Sequence, residues 1–180
     1  MAPVAANSTI TPTTGDGLST RLQRLGYRIA NKLIQADRQM RSAHGRGVKL
    51  IVGDSVGRLL LVRHTYGRHH WTFPGGGVRA TESPSHAARR ECLEELGFRP
   101  SVFELLGTYP ARSSRRIDVV TVVSISAADQ RVTPSPIELG AIGWFLPSEL
   151  PADLDPYVSV ALGLLQGHRA EIAASRDHAT

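Results

Sequence analysis

Residues 76–98 read GGVRATESPSHAARRECLEELGF, and this stretch decides the fold class. Ser83 followed by Pro84 is a typical helix start, because serine caps free N–H groups and proline fits the first turn. Gly97 is a typical helix end, since glycine readily adopts the left-handed conformation. The stretch therefore predicts a helix from Pro84 to Leu96 that follows a glycine-rich turn.

Three carboxylates share one face of this predicted helix. Glu91, Glu94 and Glu95 stand at i, i+3 and i+4, so they repel one another unless a cation lies among them. Hard divalent cations prefer such oxygen ligands. The opposite side is expected to dock into a core and hold the acids outward through its apolar residues, Cys92, Leu93 and Leu96. A solvated acidic face is the alternative interpretation.

The turn before the helix consists of Pro74 and three glycines, residues 75–77. It carries no side chains that would obstruct a ligand, so its backbone can closely approach a metal ion or a phosphate. Glu82 adds another acid where the helix begins. Turn, acid and acidic helix face together predict one metal and phosphate pocket.

The same residues follow a family spacing. Its fixed positions are Gly76, five residues, Glu82, seven residues, Arg90-Glu91-Cys92, one residue, Glu94-Glu95, one residue, and Gly97-Phe98. This resembles the Nudix box of the Nudix hydrolase superfamily, with Cys92 where an aliphatic residue is usual. The resemblance extends over residues 47–167 through further positions, Trp71, Pro74-Gly75, Trp144-Phe145, Pro147 and Leu150.

The resemblance implies an α/β fold, an α/β/α sandwich around a mixed sheet. It also implies magnesium-dependent hydrolysis, with manganese as a substitute, of a nucleoside diphosphate linked to another moiety. The implied metal ligands are Glu91, Glu94, Glu95 and the carbonyl of Gly75, with one glutamate acting as the base. Glu82 would support this set and Arg90 would orient the glutamates. Glu138, outside the box, is a candidate for one more metal-binding carboxylate.

Two basic loops are candidates for substrate contact. In residues 63–70, Arg63 and Arg68 could bind phosphate and Tyr66 could stack on a base. A second loop could hold a substrate phosphate through Arg112 and Arg115, together with the adjacent Arg116, although a purely solvated loop is the alternative there. The adjacent histidines at 69 and 70 do not indicate zinc, because no acid or cysteine at ligand spacing accompanies them.

Short β-branched and leucine-rich runs predict the remaining elements. A hairpin is expected from Val48–Val52 and Leu59–His64 around the turn at 53–57. The other expected strands are His70–Phe73, Ser101–Tyr109, Ile117–Ile125 and Ile137–Phe145. A closing helix is expected at Pro156–Gln166, followed by a frayed tail over 168–180.

The first 46 residues differ from the rest of the chain. Residues 1–17 have almost no large apolar side chains and are expected to be disordered. Residues 18–46 predict a basic amphipathic helix whose apolar positions recur every three or four residues: Leu18, Leu22, Leu25, Ile29, Leu33, Ala36 and Met40. Packing on the following domain, packing on a second copy as a homodimer, and lying on an anionic membrane surface are the alternatives.

Charge is concentrated in that segment. The chain has a formal net charge of +5, of which residues 18–46 contribute +6 and residues from Gly47 onward contribute zero. The catalytic domain itself therefore does not predict a nucleic-acid partner. Cys92 is the only cysteine, which excludes an intrachain disulfide. With no signal-like start or membrane-length apolar run, a cytoplasmic protein is expected.

The leading functional interpretation is hydrolysis of a small nucleotide, either a nucleoside triphosphate, a deoxynucleoside triphosphate or a nucleotide conjugate. An alternative is removal of pyrophosphate from RNA 5′ ends, to which the basic helix could contribute. A third interpretation is a non-catalytic nucleotide-sensing module. The retained acids at 91, 94 and 95 argue against that third class.

Overall fold

Five strands form one mixed sheet in the computed structural model, which describes residues 45–65, 67, 69–112 and 117–177. The strands are β1 (Arg46–Gly53), β2 (Leu59–His64), β3 (Phe103–Arg112), β4 (Ile117–Ser126) and β5 (Leu139–Phe145). Their order is β3-β4-β1-β2-β5. The β1–β4 pair is parallel and the other neighbouring pairs are antiparallel, so the predicted mixed sheet is confirmed.

One helix covers each face of the sheet. The two helices are α1 (Pro84–Leu96) and α2 (Tyr157–Asp177). Because successive strand residues point to opposite faces, Leu50 and Val52 pack in the α1 layer while Ile51 packs in the α2 layer. Neither described helix combines the length and apolar character needed to cross a bilayer. The layers are those of an α/β/α sandwich.

Element boundaries differ from the predictions mainly after residue 100. β3 begins and ends later than predicted, and the predicted strand His70–Phe73 is reduced to isolated bridges. The closing helix does not stop at Gln166 but continues to Asp177. Residues after Gly167 include Ala, Glu and Arg, which favour helix, so most of the predicted tail 168–180 is helical.

The predicted terminal segments lie largely beyond the described part of the chain. The tail predicted for 1–17 lies outside it, and so do residues 18–44 of the predicted amphipathic helix. The last two residues of that predicted helix are described, and neither is helical. Gly45 precedes β1, and Arg46 is its first residue.

Residues 71–77 run between β1 and β2 where these strands separate. Val62 and Thr72 exchange both backbone hydrogen bonds, at 2.9 and 3.0 Å. On the other side, the N–H of Val48 donates to the carbonyl of Gly76 at 2.9 Å. The glycine turn is therefore fastened to the centre of the sheet, beneath the helix that carries the acids.

Candidate functional site

Local sequence signals determine the two ends of α1. Ser83 Oγ accepts a hydrogen bond from the N–H of His86 at 3.2 Å, which caps the helix start. Gly97 has φ +76°, and its N–H donates to the carbonyl of Leu93 at 3.1 Å. Both ends agree with the prediction, so the acidic residues occupy known positions on the helix.

The predicted orientation of the acids is wrong. Instead of projecting into solvent, Glu91 and Glu95 are 2% and 0% exposed, and Leu93 is exposed instead of docking into the core. Ala88 and Cys92 face the sheet, which turns the neighbouring Glu91 and Glu95 toward the glycine turn. Because the turn covers them, these two carboxylates lie within the protein while Glu94 lies at the surface.

Arg90 holds three of the carboxylates together. Its Nε and Nη2 donate to the two carboxylate oxygens of Glu82, each at 2.9 Å. Its Nη1 donates to Glu91 Oε1 at 2.6 Å and to Glu94 Oε2 at 3.1 Å. Nη2 also donates to the carbonyl of Gly77 at 2.9 Å. The orienting role predicted for Arg90 would act through these contacts.

These contacts keep Glu82 and Arg90 charged. Hydrogen bonds from Arg90 lower the pKa of Glu82 below its ordinary value, so Glu82 is ionised at neutral pH. Burial alone would lower the pKa of Arg90, but the carboxylates of Glu82, Glu91 and Glu94 outweigh it and raise that pKa. The guanidinium is therefore a permanent positive charge within the acidic cluster.

Glu95 has different contacts from the other acids. Its Oε2 accepts the backbone N–H of Gly75 at 2.9 Å. Its Oε1 lies 3.8 Å from Nδ1 of His64, the last residue of β2, whose side chain is largely buried. The backbone donor fixes the Glu95 carboxylate against the glycine turn.

Two glycines make the close approach of turn and helix possible. Gly75 has φ +135°, and a Cβ there would lie 2.2 Å from the carbonyl oxygen of Val48. A Cβ at Gly76 would lie 2.4 Å from Glu91 Oε1. Both contacts are shorter than real Cβ atoms make, so any other residue would displace β1 or the buried carboxylate.

The carboxylate oxygens of the cluster are the ligand type that a hard divalent cation prefers. Within the described residues, no group of three or more His, Cys, Asp or Glu side chains converges on a metal-ion position. The guanidinium of Arg90 lies between the carboxylates of Glu91 and Glu94 and donates to both. Glu94 is exposed and can turn toward a smaller cation.

Glu138 is brought to the same end of α1 by backbone contacts. The N–H of Ser135 donates to the carbonyl of Glu95 at 2.9 Å, which attaches this loop to the helix end. The carbonyl of Glu138 then accepts the N–H of Thr65 at 3.0 Å, next to His64. The backbone of Glu138 therefore lies beside the loop that follows β2.

The predicted substrate-contact residues have separate surroundings. Arg63 forms an ion pair with Asp153 and lies 4.7 Å from the ring centroid of Trp71, so it already has partners within the domain. Arg112 is exposed at the end of β3, two strands away from β1. The remaining three candidates, Tyr66, Arg68 and Arg115, lie outside the described residues.

Three further residues around the cluster were not predicted. His64 lies beside Glu95, Arg79 Nη2 lies 3.9 Å from Glu94 Oε1, and Arg46 Nη2 donates to the carbonyl of Glu82 at 3.0 Å. A sequence signal existed for Arg79, a cation between the glycine turn and the acidic helix. His64 and Arg46 are adjacent to the site only because of how the strands pair.

The chain is similar to known proteins over this region. A family model described as NUDIX domain matches residues 43–162. An RNA pyrophosphohydrolase of Saccharophagus degradans is 43% identical over 60 residues, which are 33% of this chain and 35% of that protein. The chain thus matches about a third of the length of such curated relatives.

Solved structures share the fold. A MutT NUDIX hydrolase from Burkholderia pseudomallei is 27% identical with a TM-score of 0.60, over 66% of this chain and 95% of that one. The NUDIX domain of Shewanella oneidensis NrtR, solved with ADP ribose, is 18% identical with a TM-score of 0.58, over 68% and 86% of the two chains. At 18% identity, that second similarity supports the fold alone.

Proposed function

This chain belongs to the NUDIX family, and from that premise we propose that it hydrolyses a pyrophosphate linkage in a nucleoside diphosphate attached to another moiety. The observation that carries the proposal is the set of four carboxylates, Glu82, Glu91, Glu94 and Glu95, gathered around Arg90 and the glycine turn. Nucleoside triphosphates, deoxynucleoside triphosphates and nucleotide conjugates all contain the required linkage.

NUDIX enzymes use a divalent metal ion, and we assign magnesium to this one, with manganese as a substitute. Glu91, Glu94 and Glu95 would hold the ion, with the carbonyl of Gly75 and the carboxylate of Glu138 as further ligands. When bound, such an ion withdraws charge from phosphate oxygens and lowers the pKa of a coordinated water. The preference of magnesium for carboxylate oxygen supports this assignment.

The chain's own groups prepare this chemistry. Arg90 and the Gly75 N–H keep the carboxylates of Glu91 and Glu95 in defined positions, so little reorganisation is needed during the reaction. Glu94, at the surface, can move as substrate arrives. One of these glutamates takes the proton from the attacking water, and the leaving phosphate departs from the opposite side of the phosphorus.

A panel assay tests the proposal. Purified full-length protein is incubated with magnesium or manganese and with nucleotides of each class, and released phosphate or pyrophosphate is measured. We expect turnover that a chelator abolishes and that Glu94→Gln lowers by about 100-fold or more. Glu149→Gln, an exposed glutamate away from the cluster, is the matched control and should retain full turnover. Metal-independent turnover, or full activity of Glu94→Gln, would refute the proposal.

Removal of pyrophosphate from RNA 5′ ends is a second candidate. It is favoured by the similarity to curated RNA pyrophosphohydrolases, which extends over 60 residues, a third of this chain. Triphosphorylated RNA added to the same panel tests it. Turnover on RNA that falls steeply with salt, while turnover on free nucleotides does not, would identify RNA as the substrate. We place either activity in the cytoplasm, since the only cysteine is buried and no disulfide is needed.

A further inference from the structure

An apolar surface on the β3–β4 pair is not covered by α1. Leu105 pairs with Val123, and Val123 lies on the face that α1 packs against. Farther along the same face, Ile117 and Val119 alternate with Val123 in β4. Leu105, Ile117 and Val119 are 49–62% exposed, and the exposed Pro110 lies opposite Val119. These four residues are called the β3–β4 patch; the paired Thr108 and Thr121 lie between Leu105 and the other three.

Exposed apolar patches usually mark an interaction surface, because removing apolar side chains from water lowers the free energy. The patch is therefore a surface that gains stability when another element covers it.

The chain enters the described region directly beside this patch. The N–H of Val119 donates to the carbonyl of Gly45 at 2.7 Å. Gly45, the first described residue, is consequently attached at the edge of the patch. Any element formed by the preceding residues starts next to Ile117 and Val119, which gives it a very high effective concentration at this surface.

Gly45 has the backbone conformation that ends helices. Its φ is +65°, in the left-handed region. Space does not require glycine there, because a Cβ would meet Asp118 Oδ1 at 3.5 Å, an ordinary contact. The left-handed conformation fits a helix that ends just before Gly45, within the segment 18–46 predicted to be amphipathic.

We propose that residues 18–44 form a helix whose apolar stripe packs on the β3–β4 patch of the same chain. At 1.5 Å per residue this helix would be about 40 Å long, enough to follow the full length of β4. Its apolar stripe supplies the missing cover for Leu105, Pro110, Ile117 and Val119. Its basic residues lie mostly off the stripe and remain in solvent.

Cysteine labelling in the full-length protein tests the proposal. Val119→Cys places a thiol in the patch, and Val56→Cys places one in the β1–β2 turn, where Val56 is 65% exposed. The native Cys92 does not interfere, because its side chain is buried in the core. Burial, and to a smaller extent the charge of Glu95, also raises the pKa of its thiol to about 12, so it reacts slowly. Labelling of Cys92 also reports any unfolding.

Docking predicts that Val119→Cys reacts with a maleimide at least about tenfold more slowly than Val56→Cys. Adding Leu33→Asp, in the apolar stripe, should remove that protection and leave the Val56→Cys rate unchanged. Gln35→Asp, on the opposite side of the predicted helix, is the matched control and should leave the protection intact. Leu105→Cys, placed on β3, provides a second reporter of the same surface.

Other occupants give distinguishable results that overturn the proposal. Protection that increases with protein concentration would indicate a second copy instead of the same chain. Protection that appears only with anionic phospholipid vesicles would assign the helix to a membrane surface. Equal rates for Val119→Cys and Val56→Cys, with Cys92 unlabelled, would show that the patch is uncovered.

Discussion

The helices α1 and α2 cover opposite faces of one sheet, yet they bury different chemistry. α2 buries only apolar side chains, Val158, Ala161 and Leu165. Two of the six residues that α1 buries are glutamates. A buried carboxylate costs several kcal/mol unless charged and polar partners offset the cost. Packing alone explains α2, whereas α1 accepts a destabilising arrangement.

This difference locates the function. Arg90 and the N–H of Gly75 offset the desolvation of Glu91 and Glu95, and neither contact is needed to close the core. The buried glutamates of α1 therefore contribute little to stability, although hydrogen bonds hold each of them in a defined position. The comparison predicts that changes in α1 alter activity more than stability, and that changes in α2 do the reverse.

The largest expected effect is that of Glu95→Gln. Glutamine can still accept the Gly75 N–H but lacks the charge, so turnover should fall by two or more orders of magnitude, about 3 kcal/mol in the barrier. The free energy of unfolding should change by about 1 kcal/mol or less, since a buried charge is also removed. Steady-state kinetics and urea unfolding measure both. Turnover equal to that of the control Glu149→Gln would contradict the functional role of α1.

Leu165→Ala tests the other face. Loss of this buried side chain should lower the free energy of unfolding by about 2–5 kcal/mol through the cavity it leaves. Turnover at 25 °C should stay within about twofold, because α2 contacts none of the acids. Val160→Ala, at an exposed position of the same helix, is the control and should be nearly neutral. A large loss of turnover in folded Leu165→Ala would contradict the division of roles.

A pH titration tests whether the charge of Glu82 stabilises the fold. The pKa of Glu82 is lowered by Arg90, so ionised Glu82 stabilises the fold above its ordinary value of 4.5, and this contribution is lost as pH falls through the lower folded value. Glu82→Gln should therefore lower the free energy of unfolding by about 1–3 kcal/mol at pH 7. The difference from the parent should shrink below pH 4.5 in metal-free protein. A difference that is independent of pH would show that charge is not its cause.

The smallest expected effects concern the helix starts. Ser83→Ala removes the cap of α1, and Asp155→Ala removes the acceptor for the N–H of Tyr157, 2.9 Å away, at the start of α2. Each should lower the free energy of unfolding by about 1 kcal/mol. Only Ser83→Ala should also lower turnover, because only α1 positions the acids. Equal kinetic effects of the two variants would count against this view.

Local signals allowed much of this fold to be predicted. The start of α1 at Ser83 and its end at Gly97 depend on capping by neighbouring residues, so both are readable from the sequence. The hairpin around residues 53–57 was also predictable, because its turn residues are consecutive along the chain. The end of α2 was missed because helix-forming residues after Gly167 outweigh that glycine.

The sequence by itself determined which residues carry the chemistry, since the glycine turn and the spaced acids are consecutive along the chain. The burial of Glu91 and Glu95 and the proximity of His64 to Glu95 followed only from the folded structure. Burial and proximity depend on strands that pair across long stretches of sequence, as β2 and β5 do between His64 and Leu139. Helical spacing describes neighbours on one helix and carries no information about what packs against it.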